Sequence, residues 1–269
     1  CKTDVHIHHG RFISKFPLIP GHEFSGTVAK VGRNVTDFKV GDRVTADNTV
    51  LCGYCYYCRR DQPLYCDNFF SRGVTASGGF AQYIVVGHDK VFRIPYSLSF
   101  EEASMTEPTA CVIHGMDVID VQPGDRVLLF GCGPTGIILA QMIKHSGVAR
   151  LVVADPGQFK LDLVRKLGAD DVVLVDREDF SLHREKIRDL EPRGFDIIVD
   201  ATGKPEVVQE CFDFAKKGSK IVVYGVCPEE ARISVSPYEI FQNEYKIVGS
   251  FAQTHCFGRA IDVMERGVV

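Results

Sequence analysis

The sequence predicts an α/β protein in which a β-rich part is followed by a doubly wound parallel sheet. Over residues 1–118, short β-branched runs such as Gly26–Gly32, Asp42–Thr45 and Phe80–Val86 are interrupted by Gly, Pro and Asp. Runs punctuated at such short intervals are typical of small barrels or sandwiches. Over residues 119–252, apolar runs alternate instead with helix-like segments. That rhythm indicates a parallel sheet whose two faces are covered by helices.

The predicted strands of the second part are the segments rich in Val, Ile and Leu, at 126–130, 151–154, 172–175, 196–200, 221–224 and 246–251. Helices are predicted at 135–145 and at 160–167, where Gly168 ends the helix. This pattern alone is equally compatible with a sheet that binds no nucleotide.

Bulk composition excludes several classes of protein. The chain of 269 residues is 45% hydrophobic and 25% charged, with a net charge of −4, so no basic nucleic-acid footprint is present. No apolar run reaches the roughly 18 residues of a membrane span. Four of the ten cysteines lie within residues 52–66, a spacing that favours metal over secreted disulfides. We therefore expect a cytoplasmic protein that contacts neither nucleic acid nor membrane.

A glycine-rich turn follows the strand predicted at 126–130. Its residues are Gly131, Gly133, Pro134, Thr135 and Gly136, in the pattern G-x-G-x-x-G. The motif alone is weak, but a preceding strand and a following helix make it typical of dinucleotide binding. The glycines allow a tight turn, close approach to a pyrophosphate and close helix packing, while Pro134 suits a first helical turn.

An acidic residue ends the next strand. Asp155 stands where a carboxylate binds the ribose hydroxyls of NAD and repels the 2′-phosphate of NADP. Lys160 lies beside that ribose or is a solvated helix lysine. Asp200–Gly203 is either a contact for the nicotinamide half or a simple turn. The predicted cofactor is NAD.

The four clustered cysteines are Cys52, Cys55, Cys58 and Cys66. Four thiolates at this spacing can surround one Zn²⁺ tetrahedrally, leaving no open position, so the site would be structural. Two local disulfides or four free thiols are the alternatives. The scattered cysteines Cys111, Cys132, Cys211, Cys227 and Cys256 are expected to pack as small apolar residues.

Three further groups suit a metal site with an open position, although none is diagnostic by itself. They are Cys1 in Cys-x-x-Asp-x-His, the pair His22 and Glu23, and Glu107 before a proline at a predicted helix start. With the four cysteines and the glycine turn they follow one another in the order seen in the zinc-containing medium-chain alcohol dehydrogenase family. The sequence resembles that family, and within it the polyol dehydrogenases, from its first residue to its last.

The resemblance implies a GroES-like catalytic domain over 1–118, a Rossmann domain over 119–252 and a return to the catalytic domain over 253–269. It implies a second, catalytic zinc bound by Cys1 and His22. Glu23 is a ligand in some members and a neighbour in others, and Glu107 binds directly or through water. Asp4 would orient His22.

The resemblance also implies the chemistry. Zinc makes an alcohol more acidic, Thr3 and His6 carry its proton to solvent, and hydride passes to NAD. The expected substrate is a small alcohol or polyol, and the expected assembly is a dimer or tetramer formed through the edge strand at 246–251.

Two departures from the family pattern bear on this hypothesis. Members normally have several tens of residues before Cys1 and more after Val269, so the GroES-like domain is expected to be incomplete and the chain unstable or inactive as written. The Arg-Tyr pair of many sorbitol dehydrogenases is replaced by Ala252–Gln253. Substrates left open are pentitols, 2,3-butanediol and threonine. A zinc-free quinone reductase and an inactive zinc- or nucleotide-binding fragment are the rival hypotheses.

Overall fold

The computed structural model describes residues 3–10, 13–176 and 179–269. The chain divides into two compact units, Cys1–His114 with Ala252–Val268, and Gly115–Phe251 with Val269. The predicted boundaries at 118/119 and 252/253 remain predictions. Within the described ranges, no helix combines the length and apolarity needed to cross a bilayer.

The first unit is built on short strands. Its helices are α1 (Thr3–His8), α2 (Phe100–Ser104), the start of α3 (Thr106–Ile119) and α9 (Phe257–Glu265). Its strands are β1 (Ser25–Thr27), β2 (Arg43–Ala46), β3 (Thr49–Val50), β4 (Phe70–Ser71) and β5 (Val91–Arg93). Strands β1, β2 and β5 form one antiparallel sheet, and β3 and β4 form a second.

The strand expected at Phe80–Val86 is absent from the described part of the chain. These residues have no regular structure and are mostly exposed. Alternating apolar residues become a strand only where a neighbouring strand accepts their backbone hydrogen bonds. Only the start of the segment is tied down, where Phe80 N–H donates to Pro20 O at 3.0 Å.

The second unit holds a six-stranded parallel sheet in the order β11-β10-β9-β6-β7-β8. Its strands are β6 (Arg126–Phe130), β7 (Arg150–Asp155), β8 (Asp171–Leu174), β9 (Phe195–Asp200), β10 (Ala215–Val223) and β11 (Lys246–Gly249). Its connecting helices are α4 (Pro134–His145), α5 (Gln158–Lys166), α6 (Phe180–Leu190), α7 (Pro205–Glu210) and α8 (Pro237–Asn243). The α/β prediction is confirmed, and the predicted edge strand is β11.

The centre of the sheet explains why its strands are so apolar. Leu128, Val152, Ile198 and Ile221 sit on four adjacent strands and are fully buried. The chain order places the switch in winding direction between β6 and β9, and ligands of open α/β sheets bind at the carboxyl ends of the strands at such a point. The glycine turn leaves β6 at that position.

Candidate metal and cofactor sites

His22, Glu23 and Glu107 form one compact cluster in the first unit. One potential ligand atom from each lies within 4.8 Å of the others. His22 is only 4% exposed, and its Nε2 lies 3.7 Å from Glu23 Oε1. Helix α3 contributes Glu107 in its first turn. One imidazole and two carboxylates that are far apart in sequence are thus close together in space.

The opposite nitrogen of the His22 ring faces another carboxylate. His22 Nδ1 lies 3.4 Å from Asp4 Oδ2, while Asp4 Oδ1 accepts the Gly21 N–H at 3.1 Å. Asp4 is therefore anchored to the backbone beside the histidine that it contacts. A carboxylate on one imidazole nitrogen orients the ring and makes the other nitrogen a better metal ligand.

The backbone before His22 is held by a second segment. Gly78 N–H donates to Ile19 O and Gly79 N–H to Gly21 O, each at 2.7 Å. A Cβ on Gly78 would lie 2.2 Å from Gly21 O, so only glycine permits this approach. Gly21 itself has a φ of 93°, which favours glycine. These contacts fix the loop that presents His22.

Glu107 lies in a low-dielectric environment. Burial raises the pKa of this carboxyl, and the neighbouring His22 opposes that rise. Cys111, one helical turn later, donates its thiol to Glu107 Oε1 with a sulfur–oxygen distance of 3.4 Å. The sequence predicts only apolar packing for Cys111, because a lone cysteine carries no signal of such a contact. Two carboxylates beside a buried imidazole form a donor set that fits a divalent cation.

Three other residues are predicted at this site: Cys1, Thr3 and His6. Cys1 lies outside the described residues. Thr3 and His6 are half-buried and one turn apart on α1, which places them on the same helix face. Their role in proton transfer stays a prediction.

Cys52, Cys55, Cys58 and Cys66 form the second compact cluster, with sulfur atoms within 4.8 Å of one another. The sulfurs of Cys52 and Cys66 are 3.6 Å apart, far beyond a disulfide bond of about 2.05 Å. Four sulfurs arranged tetrahedrally around zinc at roughly 2.3 Å would be separated by about 3.8 Å. All four are free thiols here, and their spacing fits zinc.

Backbone N–H groups point at these sulfurs. The N–H of Cys55 donates to Cys52 Sγ at 3.3 Å, and the N–H of Cys52 donates to Cys66 Sγ at 3.4 Å. Although burial acts to raise it, hydrogen bonds from Asn68 and the backbone lower the pKa of Cys52 to about 6. These bonds favour the thiolate of Cys52, which is the form that binds metal, whereas burial and hydrogen bonds with the other cysteines raise the pKa of Cys58 to about 12.

The glycine turn has the geometry expected of a phosphate cradle. Gly131 has a φ of 93°, and Gly133 precedes helix α4 without a capping side chain. A Cβ on Gly136 would lie 2.3 Å from Gly131 O. Thr135 follows Pro134 in the first turn of α4. The helix therefore directs its first N–H groups and the positive end of its dipole outward from the turn.

Asp155 ends β7 and is 4% exposed. Its Oδ2 accepts the Cys132 N–H at 2.9 Å, and its Oδ1 accepts the Gly157 N–H at 2.7 Å. Lys160 Nζ lies 3.1 Å from Oδ1. This carboxylate therefore also fastens the glycine turn to the end of the next strand. An ionised carboxylate has about four acceptor sites, which leaves room for a ribose hydroxyl.

Asp200 at the end of β9 forms a turn within its own chain segment. Its Oδ1 accepts both the N–H and the hydroxyl of Thr202, and its Oδ2 accepts the Gly203 N–H at 3.2 Å. Burial raises the pKa of Asp200, and the bonds from Thr202 oppose that rise. The segment thus forms a turn, and its contact with the nicotinamide half stays a prediction.

Comparison with known proteins identifies both halves of the chain. Residues 1–96 match the alcohol dehydrogenase GroES-like domain, and residues 134–266 match the zinc-binding dehydrogenase family. D-arabinitol dehydrogenase 1 of Uromyces fabae is 45% identical over 270 residues, covering 100% of this chain and 77% of that protein. D-altritol 5-dehydrogenase of Agrobacterium fabrum is 36% identical, covering 98% and 77%.

A solved structure gives the same result at the level of the fold. A zinc-binding dehydrogenase from Sinorhizobium meliloti, bound to NADP, superposes with a TM-score of 0.93 at 30% identity. The match covers 100% of this chain and 79% of that one. The predicted family is confirmed.

Proposed function

The chain belongs to the zinc-containing medium-chain alcohol dehydrogenase family, and we propose on that premise that it oxidises a secondary hydroxyl of an acyclic polyol to a ketone with hydride transfer to NAD. The reaction is polyol plus NAD⁺ giving ketose, NADH and a proton. The chief support is the cluster of His22, Glu23 and Glu107 in a chain similar to two polyol dehydrogenases.

His22 and Glu107 hold the catalytic zinc in this proposal, together with Cys1, and Glu23 borders it. Such an ion supplies Lewis-acid chemistry that makes an alcohol hydroxyl more acidic. Asp4 keeps the His22 ring oriented through its contact with Nδ1. His22 is buried and Glu107 is half-buried, which lowers the local dielectric and strengthens charge interactions at the site.

In this proposal, residues of α1 release the proton of the alcohol. Thr3 and His6 lie on one face of this helix, so a hydroxyl at Thr3 can pass a proton toward an imidazole at His6. An imidazole suits such a relay because its ring nitrogens can both accept and donate a proton.

The second unit binds NAD at the glycine turn. The N-terminus of α4 receives the pyrophosphate, and Asp155 accepts a ribose hydroxyl. The S. meliloti relative was solved with NADP. In this chain the buried Asp155 favours NAD, because its negative charge opposes a 2′-phosphate, while Lys160 reduces that opposition.

The cysteine lobe holds a structural zinc in the same proposal, so two zinc ions are bound per chain. A reduced, cytoplasmic location suits its four free thiols. Assembly into a dimer or tetramer would use β11, the edge strand of the parallel sheet.

A substrate panel tests the proposal. The full-length protein, loaded with zinc, is mixed with NAD⁺ and with arabinitol, altritol, xylitol, sorbitol, 2,3-butanediol or threonine, and NADH absorbance is followed. We expect turnover with pentitols or hexitols, and NADP⁺ to replace NAD⁺ poorly. Ethanol serves as the control without a second hydroxyl. NADH formation from threonine or butanediol alone would move the substrate class, and none from any alcohol would refute the proposal.

A further inference from the structure

We infer that Cys111 is a positioning residue for Glu107, holding this carboxylate in the cluster with His22 and Glu23. The inference rests on the proposed function only in taking that cluster to be a zinc site. It does not depend on which alcohol is oxidised or on which dinucleotide is used.

The contact joins two residues of the same helix. Cys111 follows Glu107 by one turn on α3, and its sulfur lies 3.4 Å from Glu107 Oε1. Side chains at this spacing lie one above the other on a helix face. The contact is therefore set by the backbone of a 14-residue helix rather than by a flexible loop.

The direction of the hydrogen bond defines what Cys111 can do. An ionised carboxylate only accepts, so the thiol is the donor. The bond occupies one oxygen of Glu107, and a carboxylate retains acceptor positions on both oxygens for a metal. Among the residues described, the compact group of ligand atoms contains His22, Glu23 and Glu107 but not Cys111. Cys111 therefore acts on Glu107 and not on the ion.

Glu107 needs such a restraint. Its side chain has three rotatable bonds, and Glu23 places a like charge in the same cluster. His22 attracts this carboxylate while Glu23 repels it, so a freely rotating Glu107 can leave the cluster when no cation is present. The thiol limits that rotation and keeps the site organised before zinc enters.

The test compares zinc release in three variants. Cys111→Ala removes the donor, Cys111→Ser keeps a donor in nearly the same place, and Cys211→Ala makes the same change at a fully buried cysteine of the other unit. Zinc loss to a chelator is followed in the full chain, with the zinc of the four cysteines as internal reference. Changes to groups that orient metal ligands cost about 10–100-fold in metal affinity. Because a thiol is a weak donor, we expect Cys111→Ala to release one zinc about 10-fold faster.

Cys111→Ser should restore slow release, whereas Cys211→Ala and the reference zinc should be unchanged. Equal rates of zinc release from Cys111→Ala and the parent chain would overturn the inference. A serine variant that releases zinc as fast as the alanine variant would also overturn it, because side-chain volume and not hydrogen-bond donation would then matter. A parent chain that keeps both zincs but oxidises no alcohol would refute the proposed function and leave this inference standing. In the active enzyme, Cys111→Ala should lower kcat more than it raises KM.

Discussion

Within the first unit, a buried hydrogen bond joins the segment Ala252–Val268 to the strands before it, and its loss should be measurable. Gln253 is fully buried, and its Nε2 donates to Asp47 Oδ1 at 2.8 Å. Gln253 Oε1 accepts the Cys256 N–H, immediately before helix α9. One side chain thus connects the end of β2 with the start of α9.

The magnitude follows from what remains when the amide is removed. Asp47 also accepts the backbone N–H and the hydroxyl of Thr49 at 2.9 and 2.7 Å, and Lys90 Nζ lies 3.3 Å away. In Gln253→Met the shape is kept while both hydrogen bonds are lost. A hydrogen bond to a charged group is worth about 1.5–3 kcal/mol. Since three donors stay on Asp47, we expect a loss of about 2 kcal/mol.

Hydrogen exchange of the α9 amides measures this loss where it occurs. A change of about 2 kcal/mol corresponds to roughly 30-fold faster exchange if α9 opens with the segment. The matched control is Gln242→Met, because Gln242 is exposed on helix α8 of the second unit. Its effect should stay within about 0.5 kcal/mol.

A double-mutant cycle with Asp47→Ala isolates the pair. Contacting residues couple by about 0.5–3 kcal/mol, and a charged acceptor places this pair above 1 kcal/mol. Equal exchange rates in α9 of the parent chain and of Gln253→Met would show that this hydrogen bond does not stabilise the segment. So would a coupling energy of zero.

The remaining predictions concern the cofactor and the cysteine lobe. Gly136→Ala would place a Cβ 2.3 Å from Gly131 O, so NADH binding measured by fluorescence should be lost. Gly133 has open space around its Cβ position, so Gly133→Ala should leave the melting temperature of the protein nearly unchanged. Asp155→Ser removes the charge that opposes a 2′-phosphate. The ratio of kcat/KM for NAD⁺ to kcat/KM for NADP⁺ should therefore shift toward NADP⁺ by about 10-fold or more, the size of the effect of losing one charged contact. An unchanged ratio would contradict this role of Asp155. Cys58→Ser should reduce zinc by one equivalent per chain in mass spectrometry, and an unchanged zinc content would contradict the role of Cys58 as a ligand.

Local patterns made most of the fold predictable. The strands of the parallel sheet are continuous apolar runs because both faces are covered, and Leu128 and Ile198 are fully buried. The glycine turn and the four cysteines are short-range motifs whose spacing carries the chemistry. The strand predicted at Phe80–Val86 was wrong because a strand depends on a partner strand that local sequence does not specify.

Long-range side-chain contacts were the part that residue patterns could not supply. Asp47 and Gln253 are separated by 206 residues, and neither belongs to a motif. His22 and Glu107 were joined only through family resemblance, since a histidine beside a glutamate is common in any protein. The contact between Cys111 and Glu107 depends on a rotamer, which helical spacing permits but does not require.

The most direct test of a catalytic zinc at His22 is a paired measurement on His22→Ala, with zinc content from native mass spectrometry and arabinitol-dependent NADH formation from the same sample. We expect two zinc ions in the parent chain and one in the variant, with unchanged NADH binding. Turnover should fall by roughly 10³-fold, because Lewis-acid stabilisation is worth several kcal/mol. A variant that keeps two zinc ions and the turnover of the parent chain would contradict a catalytic zinc at His22.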